Sequence, residues 1–502
     1  MRKKSLSFLL ALCVLSFGTS ASFALERSET LIVANPADAK TLDPAIAGDG
    51  PSMGLMLQIY EGLLRYDFDK QDVVPLLAEK WEQVDDLTYR FTLRDGVKFH
   101  NGETMRASDV KFCFERAMGP IGTGNKLYAD AIESVETPDE RTVIFRLKAP
   151  YAPFITSLTL TWASVLSQKG VERLGENLNL DATGVGTGPY KFSSWQKGDR
   201  IVLDRFDDYW GKKVALKQIV MRAVPEAVNR TIELESGAVD ISLIIHANDI
   251  RRISENPDLK VLRRLDYIVT YMGMNQRHKP LDDPKVREAI ACALNVEALQ
   301  KAVWQGTGRV PNGPLAWEAR YADHDLPLPV QDVERAKRLL EEAGVKDLEL
   351  KLWTADRKER VDAATIIQGQ LAEVGIKVDI QVMEWGAFLD GLLAGRQQLF
   401  ILGSGFSDPG LTVKALYYTD GSANYTHVDD KALNELTDRS LALPDGPERA
   451  KLFADIQRRL AALRPAVYLN DEEYLVGAAR RVEGFQPGPR GYHSFVDVYF
   501  AK

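Results

Sequence analysis

A positive net charge, histidine pairs, cysteine pairs and long apolar runs are all lacking in this 502-residue chain, and each shortage removes a class of function. The formal net charge is −8, so the chain lacks the basic surface that nucleic acid or anionic lipid attracts. The six histidines, His100, His246, His278, His324, His427 and His493, are scattered, with none spaced as a metal-binding pair. No histidine precedes a glutamate, so there is no HExxH zinc site; Walker A and GxGxxG runs are missing too. Neither a metal nor a cofactor is expected. Of three cysteines, Cys13 lies in an N-terminal apolar run; Cys113 and Cys292 sit far apart in amphipathic helical patterns, and both read as buried free thiols.

The apolar run at 6–17 is too short to span a bilayer, which takes about 20 apolar residues. It follows Arg2, Lys3 and Lys4, and Ser22 and Ala24 precede a cut before Leu25. This is the pattern of a cleaved export signal at 1–24. Cys13 lies inside the run after Leu12, a poor lipoprotein site, so release as a soluble periplasmic protein is expected. Cleavage takes the net charge from −8 to −11. The remaining length exceeds what one core serves and predicts at least two domains.

Between 87 and 102, Leu87, Tyr89, Phe91 and Leu93 alternate with polar residues. Asp95-Gly96 offers a turn, and Val97 and Phe99 resume the alternation. The pattern predicts an antiparallel hairpin; with a second strand at 142–147 it marks a small α+β unit over about 62–185. After residue 275 the period changes. Asp283 and Pro284 open a helix with Val286, Ile290, Ala293 and Leu294 on one face. Asp332 opens another that Gly344 stops, and a strand with Leu348, Leu350 and Leu352 follows. A helix through Ile366, Ile367, Leu371 and Val374, a stop at Gly375 and a strand over 376–382 complete a strand–helix–strand unit with parallel strands. The apolar strand 399–402 then runs into GSGFSDPG, with the GSG expected to turn. Open α/β sheets bind ligands beyond the carboxyl ends of their strands, which is where Asp408 falls.

Several segments together resemble the peptide/nickel class (family 5) of ABC-importer solute-binding proteins, which includes the dipeptide- and oligopeptide-binding proteins. They are TLDPA (41–45), IYEGLL (59–64), PLLAEKWE (75–82), LRDGVKFHNGE into ASDVKF (93–112), GTGPYKF with DDYWG (186–211), SGAVDI (236–241), the run 274–295, and AKRLLEEAG (336–344). Each is weak alone; the order and spacing are specific. The resemblance implies a two-lobed, hinged α/β periplasmic-binding-protein fold, type II-like, with the small α+β subdomain in the first lobe. Lobe I would comprise 25–274 and 471–502, lobe II 275–470, with hinges near 273–275 and 469–471. It implies a monomeric receptor that is not an enzyme, closes on a peptide or peptide-like ligand, and docks on an inner-membrane ABC permease. Glutathione, an opine, an oligosaccharide and a nickel chelate are the alternative cargoes; a secreted hydrolase and a chemoreceptor partner are the other functional classes.

On this resemblance Asp408 would meet a peptide α-ammonium; its competing role is to cap the turn before Pro409. Arg360, with Arg357 as competitor, offers a planar fork to a ligand carboxylate, although the run 356–360 also reads as a solvated helix start. Met53, Trp385 and Tyr425, and more weakly Trp162, would line the cleft or else serve as core. The chain departs from the family pattern at Ser404 and Gly405, where relatives often carry a tryptophan.

Overall fold

The computed structural model describes residues 27–501 apart from residue 69. The expected export signal and Cys13 fall outside the described residues.

One ten-stranded sheet runs through the molecule. In spatial order its strands are Tyr190–Gln196, Arg200–Arg205, Gln218–Ala223, Thr30–Asn35, Ile241–Leu243, Ala466–Ala479, Leu259–Met274, Leu399–Ser404, Glu349–Ala355 and Lys377–Met383. Thr30–Asn35 pairs in parallel with both Gln218–Ala223 and Ile241–Leu243. On the other side Glu349–Ala355 pairs in parallel with Lys377–Met383 and with Leu399–Ser404. Each parallel group therefore aligns its carboxyl ends along one edge. The strand–helix–strand unit read from the sequence is present, its helix spanning Lys358–Ala372 with Ala363, Ala364, Ile367 and Leu371 buried. Asp283 and Asp332 cap Pro284–Ala293 and Val333–Glu342, and Gly344 and Gly375 take φ of +68° and +83° at the stops.

Two long antiparallel strands, Leu259–Met274 and Ala466–Ala479, belong to both halves of the sheet. Leu262 and Tyr474 pack with a core that contains Leu31, Ile219 and Val476, whereas Met272 and Leu469 pack with Ile290, Leu352 and Ile367. The chain thus changes lobes between these points. Along the first strand the change of core falls between Leu262 and Met272. The pairing breaks there: Leu265 faces Glu473 and Val269 faces Asp471, leaving Asp266, Tyr267 and Ile268 opposite Glu472 alone. A bulge of this kind bends the ladder and re-aims side chains.

A third core, running from Leu63 to Val165, belongs to a four-stranded antiparallel sheet and the helix Ala107–Met118. The predicted hairpin is corrected here. Thr88–Leu93 pairs with Ala78–Asp85 on one side and Thr142–Leu147 on the other, so both its edges are filled and 97–99 cannot add to it. The segment after Asp95-Gly96 folds on itself instead, with Phe99 N donating to Glu103 O and Met105 N to Val97 O. The alternation did mark the buried face, which carries Tyr89, Phe91, Leu93, Val97 and Phe99; Leu87 is exposed.

The motifs behind the resemblance meet at Glu61, buried just after the first helix, Gly50–Ile59. Tyr209 Oη donates to Oε1 at 2.7 Å; Trp210 Nε1 and Thr187 Oγ1 donate to Oε2 at 2.8 and 3.0 Å. IYEGLL, GTGPYKF and DDYWG are therefore three parts of one buried polar joint. Gly186 and Gly188 are required because a Cβ on either would fall 2.1 and 2.6 Å from carbonyl oxygens of the first helix, Ile59 O and Gln58 O. Cys113 and Cys292 are free and only half-buried.

Candidate functional site

The carboxyl ends of both parallel groups face a crevice whose floor is the bulge at 266–268. Asp266 is buried there; its Oδ1 accepts from Tyr267 N at 2.6 Å and Arg490 N at 3.0 Å. Burial first, and the Glu472 charge second, push its carboxyl up to about 6. Gly405 lies against this floor: a Cβ there would sit 1.8 Å from Tyr267 O, so only glycine lets the loop pass. Phe406 then reaches Arg490 of the C-terminal segment, whose guanidinium stands 5.4 Å from the ring. The lobes also touch through Ala152 N, which donates to Leu441 O.

The wall in lobe II is charged. Arg357 precedes the helix Lys358–Ala372 and Arg360 lies in its first turn. Arg357 stands 3.7 Å from Glu472 Oε2 and 3.4 Å from Glu359, and His246 of lobe I approaches Glu359 at 3.5 Å. Thr270 Oγ1 donates to Glu472 at 2.6 Å. Burial opposes the Glu472 charge, but Arg357, Arg360 and Thr270 outweigh it and hold the carboxyl below its usual value. Arg360 is buried, and its Nε has no partner among the described residues. Burial, and then Arg357, lower its pKa. A buried guanidinium with an unused donor is suited to a carboxylate.

The expected site residues separate in space. Arg360 and Arg357 lie in the crevice wall. Met53, half-buried on the helix Gly50–Ile59, receives a hydrogen bond at Sδ from Tyr492, which adjoins Arg490 and Asp266. Asp408 is committed elsewhere: it caps Pro409–Leu416, accepting from Gly410 N at 2.8 Å and Leu411 N at 3.2 Å. Arg449 Nη2 reaches both its oxygens, at 3.1 and 3.3 Å, and both side chains are buried. Asp408 thus combines a helix cap with an ion pair to Arg449. Tyr425 is core, edge-on to Phe400 among Trp353, Phe388 and Leu392. Trp385 is half exposed beside the outermost strand, tilted against Phe388. Trp162 is buried in the small unit and stacks on Tyr128, which feels the charges of Arg490 and Asp408 from the other side. Asp266, Glu472 and Arg490 escaped the sequence reading. The signal for Glu472 was three consecutive acids, Asp471-Glu472-Glu473, inside an apolar strand, where carboxylates stay only if they are paired.

Two lobes sharing two crossing strands, with a crevice at the carboxyl ends of their parallel strands, define a hinged solute-binding protein. Residues 72–426 match the middle region of the bacterial extracellular solute-binding proteins, family 5. The dipeptide-binding protein of Escherichia coli K12 is 30% identical over 99% of this chain and 98% of its own. Among solved structures, the periplasmic binding protein DppA from Helicobacter pylori in complex with the peptide STSA superposes with a TM-score of 0.83 at 28% identity, over 94% of this chain and 98% of its own. AgaA of Agrobacterium tumefaciens R10, in complex with agropinic acid, does so with 0.80 at 28%, over 94% and 99%. The chain belongs to family 5 of the bacterial extracellular solute-binding proteins. It is a binding receptor of the transport class, not an enzyme.

Proposed function

We propose that this protein captures a peptide or peptide-like solute carrying a carboxylate, closes its lobes over it in the periplasm as a monomer, and delivers it to an inner-membrane ABC permease. The observation that carries the reading is Arg360, a desolvated cation in the crevice wall with an unpartnered Nε. The peptide-binding relatives support the class of cargo. Met53 joins Arg360 as an apolar contact, and Arg357 steadies Glu472 beside it. Closure requires contacts that are better in the closed form, about 5.5 kcal/mol to move the population from mostly open to mostly closed. A micromolar ligand supplies about 8 kcal/mol, enough for both closure and binding.

The ion pair between Asp408 and Arg449 favours a second reading, in which the cargo is peptide-like but its α-ammonium is not what Asp408 reads. An opine or glutathione-like molecule meets that description. Mass spectrometry of the solute that co-purifies, followed by thermal shifts with dipeptides, their N-acetyl forms, glutathione and opines, tests both. A co-purifying solute without any carboxylate, or turnover of the bound molecule, would end the first reading. Loss of binding on N-acetylation would end the second.

A further inference from the structure

We propose that segment 244–249 of lobe I is a closure latch. Asn248 and His246 grip two helices of lobe II when the crevice shuts, and they tune affinity through the lobe equilibrium rather than through the chemistry of the solute. The inference rests on the hinged-receptor reading above and names residues that hold its closed form.

Position along the hinge is the first observation. The lobe I strand Ile241–Leu243 pairs with the crossing strand Ala466–Ala479, and Ile245 N still donates to Leu475 O at 3.2 Å. Farther along the same crossing strand, Asp471 N donates to Arg309 O at 2.9 Å and Arg309 N to Asp471 O at 3.3 Å. The opposite flank is filled by Leu259–Met274. The lobe I segment and lobe II residues 305–309 therefore lie end to end along one flank, across the change of lobes. Two side-chain contacts bridge that junction. Gln305 Nε2 donates to Asn248 Oδ1, and His246 Nδ1 stands 3.5 Å from Glu359 Oε1. Gln305 is the C-cap of the helix Val296–Trp304, and Glu359 lies in the first turn of Lys358–Ala372. The backbone supplies the third observation. Ile244 has a φ of +52° and is 42% exposed. A β-branched residue is strained in the left-handed region, and burial of its side chain does not offset that strain here. Arg230, itself buried, holds the turn by donating to Leu243 O at 3.0 Å, Val224 O at 2.8 Å, Pro225 O at 2.6 Å and Ile244 O at 2.7 Å. Strain of this kind persists where the surroundings over-determine it, and it clusters at clamps and switches. Its result is to carry 246–248 off the sheet and onto lobe II.

A contact made only in the closed form lowers the free energy of that form alone. The apparent dissociation constant is the intrinsic one divided by the closed fraction, so losing a latch contact weakens every solute by one common factor. A neutral hydrogen bond is worth about three- to tenfold in such an equilibrium. The His246–Glu359 contact, partly exposed, is worth less. Discrimination between solutes stays with the crevice.

The test uses the full chain, with Ala-Leu and glutathione as probes. Q305G removes the donor, and glycine suits the φ of +53° at that position, so its urea midpoint should not fall below that of wild type. N248A removes the acceptor. Calorimetry should show each variant losing about three- to tenfold, by the same factor on both probes, and N248A/Q305G losing no more than the weaker-binding single variant. H246A should lose about twofold. A probe-free measurement separates the latch from the identity of the solute. In N248C/Q305C, a short linker joining the two thiols should hold the stripped protein at the smaller radius of gyration in small-angle scattering, while wild type treated alike keeps the larger one. If linked and unlinked protein scatter alike, the 248–305 contact persists in the open form and the latch is overturned. If N248A and Q305G bind a probe as tightly as wild type, the latch is overturned while the receptor reading stands. If linking compacts the protein but neither probe binds wild type, the latch stands and the reading of the cargo as a peptide or glutathione falls.

Discussion

Glu61 links burial to pH. Its carboxyl is pushed up to about 7 from 4.5, mainly by burial, with Tyr209, Trp210 and Thr187 opposing. The folded state therefore holds the proton more tightly than the unfolded chain. Stability from this residue is complete below pH 4.5 and is lost as pH rises from 4.5 to about 7. At about 1.4 kcal/mol per unit the loss is on the order of 3 kcal/mol. E61Q imitates the protonated form, so urea unfolding of E61Q should lack that share of the decline while wild type shows it. Asp408 and Arg449 give a second measurable pair. Removing Arg449 strands a buried carboxylate, so R449A should lose about 3–5 kcal/mol by denaturant unfolding. D408N keeps the cap and should lose less, with ligand affinity within about threefold of wild type. A selective collapse of affinity in D408N would return the ammonium role to Asp408.

At the scale of elements, two glycine turns let segments pass in close backbone contact, one inside lobe I and one between the loop after Leu399–Ser404 and the bulge. A Cβ at Gly186 would meet Ile59 O at 2.1 Å and one at Gly405 would meet Tyr267 O at 1.8 Å; both obstacles are backbone. G186A and G405A should each lose about 2–4 kcal/mol in thermal or chemical unfolding, a range typical of enforced backbone shifts. Gly369 is a control, because nothing lies near its Cβ position. It sits inside Lys358–Ala372, and G369A should gain about 0.5–1 kcal/mol from helix propensity. The bulge at 266–268 matters for a different reason. It interrupts the ladder where the strands change lobes, so bending there breaks few hydrogen bonds.

For the whole molecule, closure should be visible in solution. Small-angle scattering should show a smaller radius of gyration once the co-purified ligand is restored to stripped protein. An unchanged radius at saturation would contradict a hinge. R360A should abolish or severely weaken that ligand's binding, with a modest fall in melting temperature of the unliganded protein, since the mutation removes both a buried unpartnered Nε and one of the cations beside Glu472. R360K, which lacks the planar fork, should recover little.

The sequence by itself determined what depends on local periodicity and covalent preference. Asp283, Asp332, Gly344 and Gly375 marked helix ends, and alternation in 348–352 and 376–382 marked parallel strands, because caps, φ restrictions and side-chain period act within a few residues. The order of its motifs determined the family. Only the tertiary structure decided the partners of Thr88–Leu93, the commitment of Asp408 to Arg449, and the meeting of Arg360, Glu472, Asp266 and Arg490 around one crevice. Those are contacts between residues far apart along the chain, and a carboxylate's role is set by which distant cation reaches it first. Asp408 reads the same in sequence whether it waits for a ligand or is already paired; a guanidinium 41 positions away makes the difference.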